Sequence, residues 1–189
     1  GHFPSYIYRG YKTDIYEGGH RIPLIISWKG KFTNETNNSL VSLTDFYATF
    51  AQMVNYKLKD EEAVDSYSIW PVLSKKGTSI RKDLVYESGK GYLSLRTPQL
   101  KLVFNGGSGG WGYPNKPAVL AKLPKMQLFN LEADPSEKKN LIDNKRYKKE
   151  VKKMTQTIRK YVEEGRSTPG KKTTNDTESI WKQINIFMQ

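Results

Sequence analysis

The chain has 189 residues, 37% hydrophobic and 12% aromatic, which suffices for one domain, or one and a part, around a thin core. No apolar run approaches the roughly 18 to 20 residues that cross a bilayer, so no membrane-spanning helix is expected. The absence of cysteine excludes a disulfide framework, a zinc-thiolate centre and a cysteine nucleophile. A net charge of +12 favours acidic partners such as nucleic acid, sulfated glycan or anionic lipid. Much of that charge falls between Lys138 and Lys172, where a solvated helix face accounts for it.

The chain opens with GHFPSYI, without an initiator Met, a charged n-region or an apolar h-region. Any leader is expected upstream, and the motifs start so early that the chain is expected to open mid-domain. YRGYKTDIYEGGHRIP, Tyr8 to Pro23, then places Lys12 between Arg9 and the glycine pair Gly18-Gly19, with His20 and Arg21 directly after. A lysine ammonium is a compact point charge with three donors, suited to a tetrahedral oxyanion. Arg9, His20 and Arg21 can add donors around it. The alternative is that Lys12 and Arg9 are solvated and Glu17 pairs one of them. Residues 21–30, RIPLIISWKG, form an apolar run closed by glycine, the pattern of a strand buried on both faces of a parallel sheet. KFTNETNNS reads as a polar loop. It carries sequons at Asn34 and Asn37, and a third lies at Asn175; they matter only in a secreted eukaryotic protein. SLTDFYATFAQMVN shows Leu43, Phe46, Phe50 and Met53/Val54 at helical spacing, with Ser42 or Thr44 as N-cap and Asp45 near the positive helix end.

DEEAVDSYSIWPVLSKKG is a turn-rich connector. From about Ile80 the pattern changes to KDLVYES, GYLSLRT, QLKLVFN and MQLFNLE, four strand candidates of an antiparallel sheet. NGGSGGWGYPNKP, Asn105 to Pro117, is a glycine-rich loop that reads equally as a linker or a substrate-side loop. Its GSGGWG lacks the following helix that a phosphate cradle needs. Tyr147, Val151, Met154, Ile158 and Tyr161/Val162 then mark an amphipathic helix at about 145–164, with lysines on its other face. SIWKQINIFM is expected to dock as a terminal helix or strand.

Four blocks carry a family resemblance. YRGYKTDIYEGGHRIPLIISWKG resembles the C-terminal signature of the type I sulfatases: G-x-K, a spacer, aromatic-E-G-G-x-R-x-P, then an apolar strand ending W-P-G. Gly10, Lys12, Tyr16, Glu17, Gly18, Gly19, Arg21 and Pro23 match in order, and Lys29 stands where Pro is usual. VSLTDFYATFAQMVN is similar to V-S-x-x-D-x-x-P-T, with Ala48 in place of Pro. DSYSIWPVL is similar to D-G-x-S-x-x-P-x-L, with Ser66 in place of Gly. MQLFNLEADPSEKKNL is similar to x-x-L-Y-D-L-x-x-D-P-x-E-x-x-N-L. The opening HFPSYIYRG resembles the glycan-directed branch.

The resemblance implies an α/β, alkaline-phosphatase-like fold. Residues 1–78 would be the end of the catalytic domain, its last strand-helix unit, and 79–189 a C-terminal subdomain with an antiparallel sheet and the packed helix. It implies hydrolysis of sulfate esters, of a sulfated carbohydrate or an aryl sulfate, with formylglycine and Ca2+ in the full-length enzyme. Neither C/S-x-P-x-R nor the family's Asp-Asn-Gly metal element occurs here. Nucleophile and metal ligands are therefore expected from an upstream N-terminal portion of the same protein, and the segment alone is expected to be inactive. Lys12 would contact the sulfate and His2 the substrate or leaving group. Arg9 and His20 would be rim contacts, and Glu17 and Arg21 would pair across the glycine turn. Export to a periplasmic, secreted or lysosomal location is implied. The alternative is a non-catalytic basic module binding sulfated glycan or another polyanion through Lys148, Lys149, Lys152 and Lys153. Nucleic acid is not expected, since no recognition motif is present. A truncated parallel sheet would also leave PLIISW as an open edge, which predicts self-association.

Overall fold

The runs KDLVYES, GYLSLRT, QLKLVFN and MQLFNLE become the four strands of one sheet. A computed structural model describes residues 2, 4–74, 81–174 and 181–188. The boundary expected at 78/79 and the sequon at Asn175 lie outside these residues. The elements are α1 (Glu17–His20), α2 (Asp45–Met53), α3 (Trp70–Leu73), β1 (Leu84–Glu87), β2 (Leu93–Arg96), β3 (Leu100–Val103), α4 (Pro117–Leu120), β4 (Gln127–Asn130), α5 (Lys148–Glu164) and α6 (Asn185–Met188). The contacts divide the chain into two units. One comprises Gly1–Ile22, Val85–Arg159 and Thr177–Gln189; the other comprises Pro23–Leu84 and Lys160–Asp176.

In the first unit the strand order is β1-β2-β3-β4. The β2–β3 and β3–β4 pairs are antiparallel, with Leu95 opposite Leu102 and Leu102 opposite Leu128. These three leucines are fully buried on one face of the sheet, each contributing about 1.5–3 kcal/mol of apolar burial. Phe104, two residues beyond Leu102, continues that face and meets Phe187 of α6 with ring centroids 4.6 Å apart. The chain end thus docks as a short helix. Because side chains alternate along a strand, Arg96, Lys101, Val103, Gln127 and Phe129 occupy the opposite face. There Ile15 and Tyr16 pack with Val103, Phe129 and Leu131. Helix α5 follows a 3-10 turn over Lys145–Tyr147 that Asn144 caps by accepting from the Arg146 amide. Met154 and Ile158 of its expected stripe are buried.

In the second unit α2 forms as expected but buries a different face. Asp45, Ala48, Thr49 and Ala51 are inside, whereas Leu43, Phe50 and Val54 are exposed. The reason is Asp45. Its carboxylate is ion-paired to the buried Arg81 guanidinium and accepts from the Tyr67 amide at 3.0 Å. A paired buried charge fixes the inward face more firmly than an apolar stripe does. Residues 21–30 also depart from expectation: they form no strand, and Ile25 is 89% exposed. A strand buried on both faces needs paired neighbours on both edges, and the described residues supply none.

Candidate functional site

Lys12 sits in a turn closed at both ends by Asp14. The Asp14 amide donates to the Tyr11 carbonyl at 2.9 Å, and Asp14 Oδ2 accepts from the Tyr11 amide at 3.2 Å. Thr13, the next residue, has φ +79°. A β-branched residue there is strained by about 1–3 kcal/mol, so the surroundings must hold it. The Gly89 amide donates to the Thr13 carbonyl at 2.8 Å, and the Trp111 amide to Thr13 Oγ1 at 3.2 Å. The Gly112 amide donates to Asp14 Oδ1 at 2.8 Å. The glycine-rich loop, which composition left open between linker and substrate side, is therefore folded against the Lys12 turn.

The glycine pair explains the other wall. A Cβ on Gly18 would lie 2.3 Å from the Gly10 carbonyl oxygen, and one on Gly19 would lie 2.1 Å from that of Asp14. Only glycine lets α1 approach the turn this closely. Lys12 itself is exposed at the tip, and among the described residues its ammonium has no ion pair or hydrogen bond. His2 is exposed near the chain start. Arg9 is half-buried. Its Nη1 donates to the Glu137 carbonyl at 2.9 Å and its guanidinium covers the Tyr16 ring at 3.9 Å.

His20 turns inward rather than to the rim. Its ring stacks on Tyr86 at 4.4 Å, and Nε2 is buried with no hydrogen-bond partner among the described residues. Burial, with the Lys101 charge adding to it, pushes its pKa down to about 4, against the opposing pull of Glu17. At neutral pH it is an uncharged ring, so it does not join Lys12 as a cation.

Beneath α1 lies an ionic cluster that periodicity does not reveal. Lys101 is wholly buried, with Nζ 3.2 Å from Glu17 Oε1 and 3.0 Å from Glu137 Oε1. The Glu17 amide donates to Glu137 Oε2 at 2.6 Å, and Arg96 Nε lies 3.4 Å from Glu17 Oε1. The expected Glu17–Arg21 pair exists only at 4.0 Å, with Arg21 exposed. Burial alone pushes Glu17 up, but Lys101, Arg96 and Arg21 outweigh it and hold the carboxyl below its ordinary range. Burial pushes Glu137 up, and Lys101 only partly offsets this. The only signal in the sequence was a lysine amid the apolar QLKLVFN and a glutamate without an obvious partner. Among the described residues no three His, Cys, Asp or Glu side chains converge to hold a metal ion. Nor is any described helix long and apolar enough to cross a membrane.

Comparison with known proteins agrees with the motifs. The family model described as Sulfatase matches residues 1–56. An N-acetylgalactosamine-6-O-sulfatase of Bacteroides thetaiotaomicron is 33% identical over 141 residues, covering 75% of this chain and 27% of the relative. An arylsulfatase of Hemicentrotus pulcherrimus is 32% identical over 98 residues, covering 52% of this chain and 18% of the relative. A solved structure from work on glycosaminoglycan metabolism by Bacteroides thetaiotaomicron superposes with a TM-score of 0.70 at 29% identity. It covers 85% of this chain and 33% of that protein. The chain thus spans about a quarter or less of the length of these two relatives.

Proposed function

Because the chain belongs to the type I sulfatase family and corresponds to its C-terminal part, we propose that it contributes a sulfate-binding lysine, Lys12, to an enzyme hydrolysing sulfate esters of a carbohydrate. The single observation that supports this is the Lys12 turn. An exposed ammonium with no acidic partner among the described residues is held by Asp14, Gly89, Trp111 and Gly112 on a strained, hydrogen-bonded turn. A lysine already satisfied by a carboxylate has little charge to offer a ligand; an unpaired one on a fixed backbone offers its full charge at a set position. Lys12 would hold sulfate oxygens by charge and donated hydrogen bonds, and would stabilise charge that grows on them as the ester bond breaks.

Calcium and formylglycine, which the resemblance implies, belong in this reading to residues outside the segment. The substrate class follows the similarity to an N-acetylgalactosamine-6-O-sulfatase. His2, on the exposed surface, is carried as a second substrate contact. The enzyme is placed in an exported compartment, where polymeric sulfated glycans are met.

A second reading has its own observation. Lys148, Lys149, Lys152 and Lys153 are all exposed on α5, an arrangement that binds polyanions without catalysis. Titration with inorganic sulfate and with a sulfated polysaccharide separates the two. Lys12→Ala is expected to abolish sulfate binding, while alanine at the four α5 lysines leaves it within twofold. If the α5 variant loses binding with a reduced salt dependence and Lys12→Ala does not, the polyanion module is the correct account.

A further inference from the structure

The glycine-rich loop does more than brace the Lys12 turn. It presents two large aromatic side chains, Trp111 at 64% exposure and Tyr113 at 73%. Neither ring has an aromatic or cationic partner among the described residues. The loop around them is held by several hydrogen bonds. The Trp111 amide is held by Thr13 Oγ1 and the Gly112 amide by Asp14. The Gly112 carbonyl accepts from Ser108 Oγ at 2.6 Å, and the Pro114 carbonyl from the Ser108 amide at 2.8 Å. The Trp111 carbonyl accepts from Asn115 Nδ2. Gly110 and Gly112 flank Trp111, so no neighbouring side chain crowds its ring.

Exposed apolar surface in a contiguous patch marks an interaction site more often than scattered single side chains do. Here Trp111 is tied through Thr13 to the residue next to Lys12, a cation without a partner among the described residues. The geometry points to Trp111 and Tyr113 as a stacking platform for the sugar ring that bears the sulfate. This rests on the reading of Lys12 given above. A sulfated pyranose is the ligand chemistry that fits both halves: an anion for Lys12, and a ring face of polarised C–H groups for the aromatic faces. Large, rigid aromatic surfaces bind such faces at low cost in side-chain entropy. A free sulfate ion would use only the lysine, and an unsulfated sugar only the rings.

The test is a titration of the 189-residue chain with three probes: N-acetylgalactosamine 6-sulfate, unsulfated N-acetylgalactosamine and inorganic sulfate. Proton saturation transfer reports which sugar protons meet an indole. The expected result is that Trp111→Ala weakens the sulfated sugar about tenfold, the loss of one good stacking contact. It leaves inorganic sulfate unchanged, and Trp111→Phe stays within about threefold of the parent. Unchanged affinity for the sulfated sugar in Trp111→Ala, or no saturation transfer to its ring protons at millimolar concentrations, overturns the platform. The two readings fail separately. If Lys12→Ala abolishes sulfate binding while Trp111→Ala is silent, the lysine stands and the platform falls. If Trp111→Ala loses the sugar while Lys12→Ala still binds sulfate, the platform stands and the role given to Lys12 falls.

Discussion

Replacing Lys101 by Met removes the one cation between two buried carboxylates while nearly preserving volume. Arg96, 3.4 Å from Glu17 Oε1, remains to hold that group charged. Glu137 keeps only the Glu17 amide and the repulsion of the Glu17 carboxylate. An isolated buried carboxylate neutralises rather than remain charged. The loss is then at most the free energy of protonating Glu137 from its ordinary value of 4.5, since the parent, where burial already pushes Glu137 up, carries part of that cost. At about 1.4 kcal/mol per pH unit this upper bound is about 3.5 kcal/mol at pH 7 and about 1.4 kcal/mol at pH 5.5. The sign follows from linkage. A Glu137 pKa raised in the folded variant gives stability that is present at low pH and lost as pH rises, so the variant approaches the parent on acidification. Urea unfolding of both proteins at the two pH values measures it, and Glu137→Gln added to Lys101→Met should remove the pH-dependent part. A loss at pH 7 that does not shrink at pH 5.5, or a loss below about 1 kcal/mol, refutes the claim that these groups form one charge-balanced cluster.

His20 should titrate near 4 by proton NMR. Since its folded pKa is depressed, the stability it contributes is present above its ordinary value of 6.5 and lost as pH falls, up to about 3 kcal/mol near pH 4; His20→Phe should flatten that part of the profile. Gly112→Ala puts a Cβ 2.2 Å from Asp14 Oδ2 and should cost about 1–3 kcal/mol, seen as a lowered Tm. Asp14→Ala removes the acceptor of the Tyr11 and Gly112 amides. It should cost about 1–3 kcal/mol and speed hydrogen exchange at Gly112 more than at Leu102.

The sheet was legible because each strand is a short apolar run bounded by turn residues, and hydrophobic pattern with turn chemistry suffices to place such elements. Helix α5 was legible for the same reason, its stripe recurring over four turns. Periodicity failed where charge decides the face. In α2 the apolar residues mark an exposed side because Asp45 is drawn in by Arg81, a residue 36 positions away. Nothing in the strand pattern of QLKLVFN marked Lys101 as buried, yet both faces of β3 are covered and two glutamates, far off in sequence, pair with it. The run at 21–30 was read as a buried strand, but apolar character specifies a strand only where paired neighbours exist. Of the candidate site, the glycine-flanked turn that carries Lys12 was legible through the motif around it. The inward turn of His20 and the folding of the glycine-rich loop onto Thr13 and Asp14 were not, since both depend on contacts between segments about 70 to 100 residues apart.

The most direct test of the central claim is the rate of sulfate-ester hydrolysis by the full-length enzyme in which this segment is proposed to lie, with Lys12 replaced by Ala. An electrostatic contact to the reacting group predicts that kcat/KM falls by about a hundredfold or more, with Tm unchanged because Lys12 is exposed and has no partner among the described residues. A kcat/KM within threefold of the parent enzyme would contradict it.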